Sequence, residues 1–187
     1  MTRKLGGPKN EEYLRQGSPL ATTFAESLPR YLATGNLAIG ATGVEQTVAV
    51  PLQAGDTVTS ITFITATTAA ATPTAGYACL RSTSGALLAQ TADFGSTARA
   101  ANTAYTVTLA TPQLITAAGL YYVGISFTAG TVPTLAGLAV VNAVVNGAIG
   151  LSAKVLAQTH GSSVGATAPA TVATPTTVAN IPYVVCS

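Results

Sequence analysis

Residues 161–165 contain a pattern that is typical of an enzyme. Gly161-Ser162-Ser163-Val164-Gly165 matches the G-x-S-x-G turn that presents a nucleophilic serine in hydrolases, and His160 precedes it. That chemistry needs an acid and then a histidine later in the chain, and no Asp, Glu or His follows Ser163. The turn must also lead into a helix, whereas the tract that follows is rich in Ala, Thr and Pro. The sequence therefore predicts a surface loop of small residues here, and no catalytic serine.

Metal binding and thiol chemistry have few candidate residues. His160 is the only histidine, and Cys79 and Cys186 are too far apart in the sequence to suggest a C-x-x-C type of metal cluster. We therefore predict no metal site and no cofactor. The two cysteines could form one disulfide that ties the end of the chain to the body, or could remain two small buried thiols.

Acid/base chemistry would need a pair of suitably placed carboxylates. Beyond the first thirty residues the chain contains Glu45, Asp56 and Asp93, and each lies next to a predicted turn or at the edge of a predicted strand. We interpret all three as solvated carboxylates of the kind that loops usually carry. Since no other catalytic pattern is present, the sequence predicts that the protein is not an enzyme.

The chain of 187 residues is poor in charge. Asp, Glu, Lys and Arg make up 7% of it, against roughly 25% in an ordinary soluble domain. From residue 31 onward the charges sum to zero, and near-zero net charge promotes association, so we expect a homo-oligomer or a larger assembly. The overall charge of +2 is too small and too scattered to predict binding to nucleic acid or to an acidic membrane. The charged residues beyond residue 30 are Glu45, Asp56, Arg81, Asp93, Arg99 and Lys154.

Residues 1–30 predict an extended N-terminal arm. Gly and Pro interrupt each apolar stretch before it can build a face, and the segment lacks the apolar centre of a secretion signal or membrane anchor. The arm carries basic side chains that could form charge-assisted hydrogen bonds with the carboxylates of a neighbouring subunit. These predicted partner-binding residues are Arg3, Lys4, Lys9, Arg15 and Arg30.

Residues 31–187 predict one all-β domain, an antiparallel β-sandwich or jelly-roll-like fold. The two-residue period of a half-buried strand is clearest from Val44 to Leu52, where Val48 and Val50 share one face and Glu45 and Thr47 the other. Short strands at regular spacing, separated by turn residues, are typical of such folds. Further strands are predicted at 57–65, 77–82, 86–91, 105–109, 121–127 and 181–186, with turns at 54–56 and 84–85 and a loop at 67–76.

Residues 135–151 form the most apolar segment of the chain. A membrane-spanning helix would place Asn142 and Asn146 in mid-span, whereas Asn146-Gly147 is a standard hairpin signal. We therefore predict a buried hairpin with strands at 138–145 and 148–155, and no membrane contact. The low-charge tract 161–182 is predicted to wrap the surface of the domain or to pair with a neighbour.

Four segments between about Gly55 and Gly137 carry a resemblance to a known family. They are AGDTVTSITFIT, ALLAQTADF, AANTAYTVTL and GLYYVGISFTAGTVPTLAG. This part of the chain resembles small β-sandwich virion proteins of tailed phages that infect actinobacteria. The resemblance covers less than half of the chain and contains no catalytic motif. No collagen-like or coiled-coil stalk, of the sort that phage fibres carry, is evident in the sequence.

The resemblance implies a virion location, with assembly in the host cytoplasm. The expected role is that of a capsid decoration or minor capsid protein, in which the arm lies along the major capsid protein or another virion subunit. Apolar sheet surface would be buried between copies. The alternative is a minor tail or tail-tip module that binds host-surface carbohydrate, which requires Tyr105, Tyr121, Tyr122 or Tyr183 to be exposed together.

Overall fold

The structure is a computed structural model that describes residues 25–139 and 154–187. This part of the chain contains thirteen β-strands and one 3-10 helix, Arg30–Leu32, and its strand pairs are antiparallel. The all-β, antiparallel prediction is therefore confirmed, whereas the jelly-roll-like connectivity stays a prediction. No helix among these residues is long and apolar enough to cross a membrane.

The strands form three sheets. Their bounds are β1 Ala25–Glu26, β2 Gly35–Ala38, β3 Glu45–Leu52, β4 Thr57–Ile64, β5 Ala71–Arg81, β6 Leu87–Gln90, β7 Ala104–Leu114, β8 Gly119–Thr131, β9 Thr134–Ala139, β10 Ala157–His160, β11 Thr176–Thr177, β12 Asn180–Pro182 and β13 Val184–Cys186. One sheet has the order β1-β13-β4-β7, the second β11-β10-β3-β8-β5-β6, and the third β12-β9-β2.

The main core lies between the four-stranded and the six-stranded sheet. Side chains alternate between the two faces of each strand, so one apolar face of each sheet can be turned toward the other. Burying each large apolar side chain contributes about 1.5–3 kcal/mol, which makes this layer the chief stabilising element. Its members include Val48, Val50, Leu80, Val123, Ile125 and Phe127 from the six-stranded sheet, and Val58, Ile61, Phe63, Leu109, Val184 and Cys186 from the four-stranded sheet.

The predicted strands coincide with β3, β4 and β6 and fall within the longer β7 and β8, but the predicted loop at 67–76 is wrong from Ala71 onward. Strand β5 begins at Ala71 and pairs with β8 along its length. The ladder is irregular between Pro73 and Ala75, and such a bulge lets a strand accommodate a proline. The Ala-Thr-Pro composition of this segment is typical of a loop, and it therefore gave no signal for the irregular start of β5.

The boundary between arm and body lies earlier than residue 30. Ala25 and Glu26 form strand β1, which pairs with β13, and Leu28 is buried in the main core. Residues 1–24 of the predicted arm lie outside the described residues. Most of the predicted hairpin at 138–155, including Asn146-Gly147, also lies outside them.

The C-terminal part of the chain runs through several sheets. The predicted closing strand at 181–186 divides into β12, which pairs with β9, and β13, which pairs with β4 and β1. Between β10 and β11, residues 161–175 have no regular secondary structure and lie over the outer face of the six-stranded sheet. We call this segment the strap.

Candidate functional site

The outer face of the six-stranded sheet carries a buried cluster of polar side chains. It consists of Glu45 on β3, Tyr77, Cys79 and Arg81 on β5, and His160 on β10, and each is at most 4% exposed. Tyr77, Cys79 and Arg81 share this face because they are two residues apart in one strand. We call these five residues the polar cluster. It is the densest group of ionisable side chains in the described residues.

Glu45 and Arg81 form a bidentate ion pair at the centre of the cluster. Arg81 Nε lies 2.7 Å from Glu45 Oε1, and Arg81 Nη2 lies 2.7 Å from Oε2. The third guanidinium nitrogen, Nη1, donates to the backbone oxygens of Gly85 at 3.2 Å and Pro169 at 2.9 Å. Paired charge-assisted hydrogen bonds of this geometry are among the strongest in proteins, so the guanidinium is fixed in place.

The other members of the cluster surround the same carboxylate. The Tyr77 hydroxyl donates to Glu45 Oε2 at 2.6 Å, and Cys79 Sγ lies 3.5 Å from Oε1. His160 Nε2 lies 3.1 Å from Oε1, but this contact lacks hydrogen-bond geometry, and the nitrogen has no hydrogen-bond partner in the described part of the chain. Both oxygens of Glu45 are therefore engaged by neighbouring donors.

Gly124 provides the space in which the ion pair forms. It lies on β8, the strand between β3 and β5, so Glu45 and Arg81 meet above it. A Cβ atom at this position would overlap Glu45 Oε1 and would lie 2.7 Å from Cys79 Sγ. A glycine inside a strand often marks such a close approach.

The charge state of the cluster follows from its surroundings. Burial alone would raise the pKa of Glu45, but the hydrogen bonds and positive charge of Arg81 outweigh it and lower the pKa to about 2. Burial, together with the nearby charge of Glu45, raises the pKa of the Tyr77 phenol and of the Cys79 thiol. At neutral pH the cluster therefore holds one carboxylate, one guanidinium, a neutral phenol and a neutral thiol.

These charge states suit a structural role better than a chemical one. A catalytic general base usually has a pKa raised toward neutrality, whereas the pKa of Glu45 is lowered. A reactive cysteine needs an accessible thiolate, whereas the Cys79 thiol is buried and protonated. What the arrangement can do is hold β3, β5 and the strap together.

The strap covers the polar cluster. Ala168 is buried against Tyr77 and Cys79, and its backbone N–H donates to Gln90 Oε1 at 2.9 Å. Leu87 N donates to Ala170 O at 2.9 Å, in addition to the bond from Arg81 to Pro169. The prediction that this tract wraps the surface is confirmed for residues 161–175.

The three carboxylates that we interpreted as solvated have different environments. Asp56 and Asp93 are turn residues: Asp56 Oδ2 accepts a hydrogen bond from the N–H of Gln53 at 2.7 Å, and Asp93 Oδ1 accepts one from Gly76 at 2.9 Å. The interpretation of Glu45 is wrong, because its side chain is fully buried. The available signal was a lone acidic residue and a lone Arg81, each inside an otherwise uncharged predicted strand.

The remaining candidates for chemistry lie apart from one another. Ser163 is exposed in the strap, no helix follows it there, and the neighbouring His160 is buried beside Glu45. Cys79 and Cys186 are both free, buried thiols, which decides between the two alternatives that the sequence left open. Among the described residues, no group of three His, Cys, Asp or Glu side chains could hold a metal ion.

Of the five predicted partner-binding residues, the structure describes Arg30. The other four, Arg3, Lys4, Lys9 and Arg15, lie outside the described ranges. The side chain of Arg30 is 60% exposed and bonds to Glu26 Oε1, with Nη2 at 2.9 Å and Nε at 3.2 Å. The same oxygen accepts a hydrogen bond from Tyr183 OH at 2.7 Å. Arg30 therefore pairs within its own chain, at the point where the arm meets the body.

The tyrosines required by the carbohydrate alternative are not exposed together. Tyr121, Tyr122 and Tyr183 are 8%, 6% and 6% exposed. Tyr105 is half-buried, and its hydroxyl oxygen accepts a hydrogen bond from Ala100 N at 2.6 Å. No aromatic platform for a sugar ring is formed by these four side chains.

Two open grooves lie elsewhere on the described surface. One, of about 350 Å³, runs beside the β5–β6 hairpin and includes Thr83, Tyr122, Lys154 and Gln158. The other, of about 320 Å³, is lined by uncharged residues between β2, β4 and β9. Glu45 is absent from both linings, so neither groove gives access to the carboxylate of the polar cluster.

Comparison with known proteins adds no identification. No protein-family model matches the sequence, and no curated protein is significantly similar to it. The resemblance to phage virion proteins therefore remains a prediction from the sequence.

Proposed function

We propose that this protein is a non-enzymatic structural component of a virus particle, a capsid decoration or minor capsid protein of a tailed phage. The observation that carries the proposal is the distribution of charge. Glu45 and Arg81 neutralise each other inside the fold, and the other charged groups beyond Tyr31 are Asp56, Asp93, Arg99 and Lys154. The body therefore presents a nearly uncharged surface of Thr, Ala and Ser, which favours association with other subunits.

Association of this kind gains from repetition. Each contact between uncharged sheet surfaces is weak, because it depends on the limited apolar area that is removed from water. On a particle the same contact recurs many times, and a subunit that is held at two or more places dissociates much more slowly. A capsid lattice supplies this repetition, whereas a freely dissolved monomer would not.

The base of the arm is held rigidly on the body, which supports its use as an anchor. Strand β1 lies at the edge of the four-stranded sheet, and Ser27 Oγ donates to Pro182 O at 2.8 Å. Directly after this point Tyr31 and Leu32 are 66% and 38% exposed. Their apolar surface follows β1 closely in the chain, and a neighbouring subunit that binds the arm could also cover it.

The carbohydrate-binding alternative has less support. It needed exposed tyrosines, and three of the four candidates are buried. We therefore propose the particle component alone, with the major capsid protein or another virion subunit as partner, and with further copies of this chain as neighbours.

Removing residues 1–24 from the protein tests the proposal. The cut is placed before Ala25 because β1 and Leu28 belong to the body, so the truncated chain keeps its core. We expect the truncated protein to fold with unchanged thermal stability but to load onto particles that lack this protein at less than a tenth of the intact level. Full loading by the truncated protein would contradict the anchoring role.

A charge variant separates the contribution of the basic side chains from that of the arm as a whole. Changing Arg3, Lys4, Lys9 and Arg15 to Glu should weaken loading, because these groups are proposed to bind carboxylates on a neighbouring subunit. The matched control, Arg3→Lys with Arg15→Lys, keeps the charge and should load normally. Equal loading by both variants would show that the basic side chains do not anchor the protein.

A further inference from the structure

We infer that the strap, residues 161–175, opens and closes as a unit of its own while the packed sheets stay folded. This inference does not depend on the proposed function. It rests on how the strap is attached, on what lies beneath it and on the backbone at its two ends.

The strap is attached mainly by hydrogen bonds and by little apolar contact. Ala168 is its one buried residue, and the remaining side chains are half-buried or exposed. Its backbone is tied to the sheet through Ala168 N and the carbonyls of Val164, Pro169 and Ala170, and the N–H of Val164 donates to Gly43 O in the turn before β3. Segments with few buried apolar contacts and many bonds near solvent are those that open locally in native proteins.

The surface beneath the strap would be stable in water. When the strap lifts, it uncovers the Arg81 guanidinium of the ion pair, which water solvates well, together with the Tyr77 ring and Cys79. Burying an ion pair costs solvation of both charges, and that solvation is regained on opening. The face that opening exposes thus holds a charged pair beside a small apolar cluster, whereas the opposite face of the same sheet packs large apolar side chains into the main core.

The ends of the strap carry backbone conformations that opening would relax. Ser163 and Thr174, near its two ends, have φ values of 56° and 45°, in the left-handed region that non-glycine residues rarely adopt. Gly161, with φ of 75°, precedes Ser163 and can adopt many conformations. Strands β10 and β11 pair with each other on either side of the strap and hold its ends close together in both states.

The two cysteines allow a direct test in the intact protein. Cys79 lies beneath the strap, whereas Cys186 lies in the main core between the sheets. Under native conditions with N-ethylmaleimide, peptide mass spectrometry should show Cys79 reacting at least tenfold faster than Cys186. If Cys79 reacts no faster than Cys186, including the case in which neither reacts, the strap does not open independently.

A variant that removes one hydrogen bond to the strap, with a matched control, distinguishes opening of the strap from unfolding of the whole protein. Gln90→Ala removes the side-chain acceptor for Ala168 N and should raise the Cys79 labelling rate about fivefold, while Cys186 is unchanged. The control Gln113→Ala makes the same change on β7, where the amide bonds to Leu114 O at the surface, and should alter neither rate. An equal increase at both cysteines in Gln90→Ala would indicate global unfolding and overturn the inference.

Hydrogen exchange gives a second measurement that does not depend on thiol reactivity. The amides of Ala168 and Leu87, which join the strap to the sheet, should exchange at least tenfold faster than those of Val48 and Val123 in the central strands. Equal protection at all four positions would contradict independent opening.

Discussion

Glu45 and Arg81 lie on strands that are not neighbours, and their ion pair crosses the strand between them at Gly124. Strand β8 separates β3 from β5, and two bonds of 2.7 Å join the side chains above it. The ion pair therefore depends on the absence of a side chain at Gly124, although Gly124 makes no bond to either partner. It links three central strands of the six-stranded sheet to the strap through Pro169 O.

Gly124→Ala should destabilise the protein by about 1–3 kcal/mol. The added Cβ would overlap Glu45 Oε1 and press on Cys79 Sγ, so that the ion pair or the strand has to move. The free energy of unfolding, from urea titration, measures the effect. Gly165→Ala in the strap is the matched control, because nothing lies within 4 Å of its added Cβ, and it should change stability by less than about 0.5 kcal/mol. Equal stability of the two variants would show that Gly124 is not needed for the pair.

Arg81→Met should cost about 3–5 kcal/mol, because it leaves the Glu45 carboxylate buried without a counter-charge. Arg30→Met makes the same change in a pair in which Arg30 is 60% exposed and Glu26 is buried but keeps its hydrogen bond from Tyr183, so it should cost less, about 1–2 kcal/mol. Urea unfolding of the two variants compares a fully buried ion pair with one whose arginine is largely exposed, in one protein. A loss for Arg81→Met as small as that for Arg30→Met would mean that the buried pair contributes little.

Replacing both partners should be less harmful than replacing one. The double variant Glu45→Leu with Arg81→Met removes the unpaired charge, so we expect it to be more stable than Arg81→Met alone by at least about 1 kcal/mol. Differential scanning calorimetry, with tenfold dilutions to exclude association effects, gives the comparison. The single variant Glu45→Leu completes the cycle, and a loss in the double variant equal to the sum of the two single losses would show that the side chains do not interact.

Acid should weaken the fold through Glu45. Its pKa is lowered from an ordinary value of 4.5 to about 2 in the folded protein, so its stabilising contribution is complete above about pH 4.5. The contribution is lost as the pH falls from 4.5 toward 2, because the unfolded chain then binds the proton more readily. The urea midpoint of the native protein should fall over this range, and that of Glu45→Gln should fall less steeply. Parallel curves for the two proteins would exclude Glu45 as the source.

The base of the arm should depend on one buried hydroxyl. Tyr183→Phe removes the bond of 2.7 Å to Glu26 Oε1 and should cost about 1 kcal/mol. It should also increase hydrogen exchange at Ala25 and Glu26, since β1 has only β13 as its partner in the sheet. Unchanged exchange at these two residues would mean that the bond does not hold β1 in place.

Much of the fold could be predicted because the strands leave a local trace in the sequence. The alternation along β3 follows from one face being apolar, and the face that it assigned to Val48 and Val50 does lie in the core. The turn residues also marked the β5–β6 hairpin. The start of β5 was missed because Pro73 and the bulge beside it have no regular period.

The polar cluster could not be predicted because its members come from distant parts of the chain. Glu45 and Arg81 are brought together by the pairing of β3 and β5 with β8, and sequence spacing does not report which strands pair. The second face of β3 alternates as a solvent-facing surface would, yet Glu45, Thr47 and Ala49 on it are all buried. The strap, which accepts a hydrogen bond from Arg81, has no regular secondary structure. Its sequence therefore has no hydrophobic period from which its position could be predicted.

The number of copies in purified particles tests the proposed function most directly. Quantitative mass spectrometry of virions made by the genome that encodes this chain would compare its amount with that of the major capsid protein. The account predicts a ratio set by the capsid lattice, with roughly hundreds of copies in each particle, as multivalent binding to a repeated site requires. Finding the chain absent from the particles, or free in solution as a monomer, would contradict it.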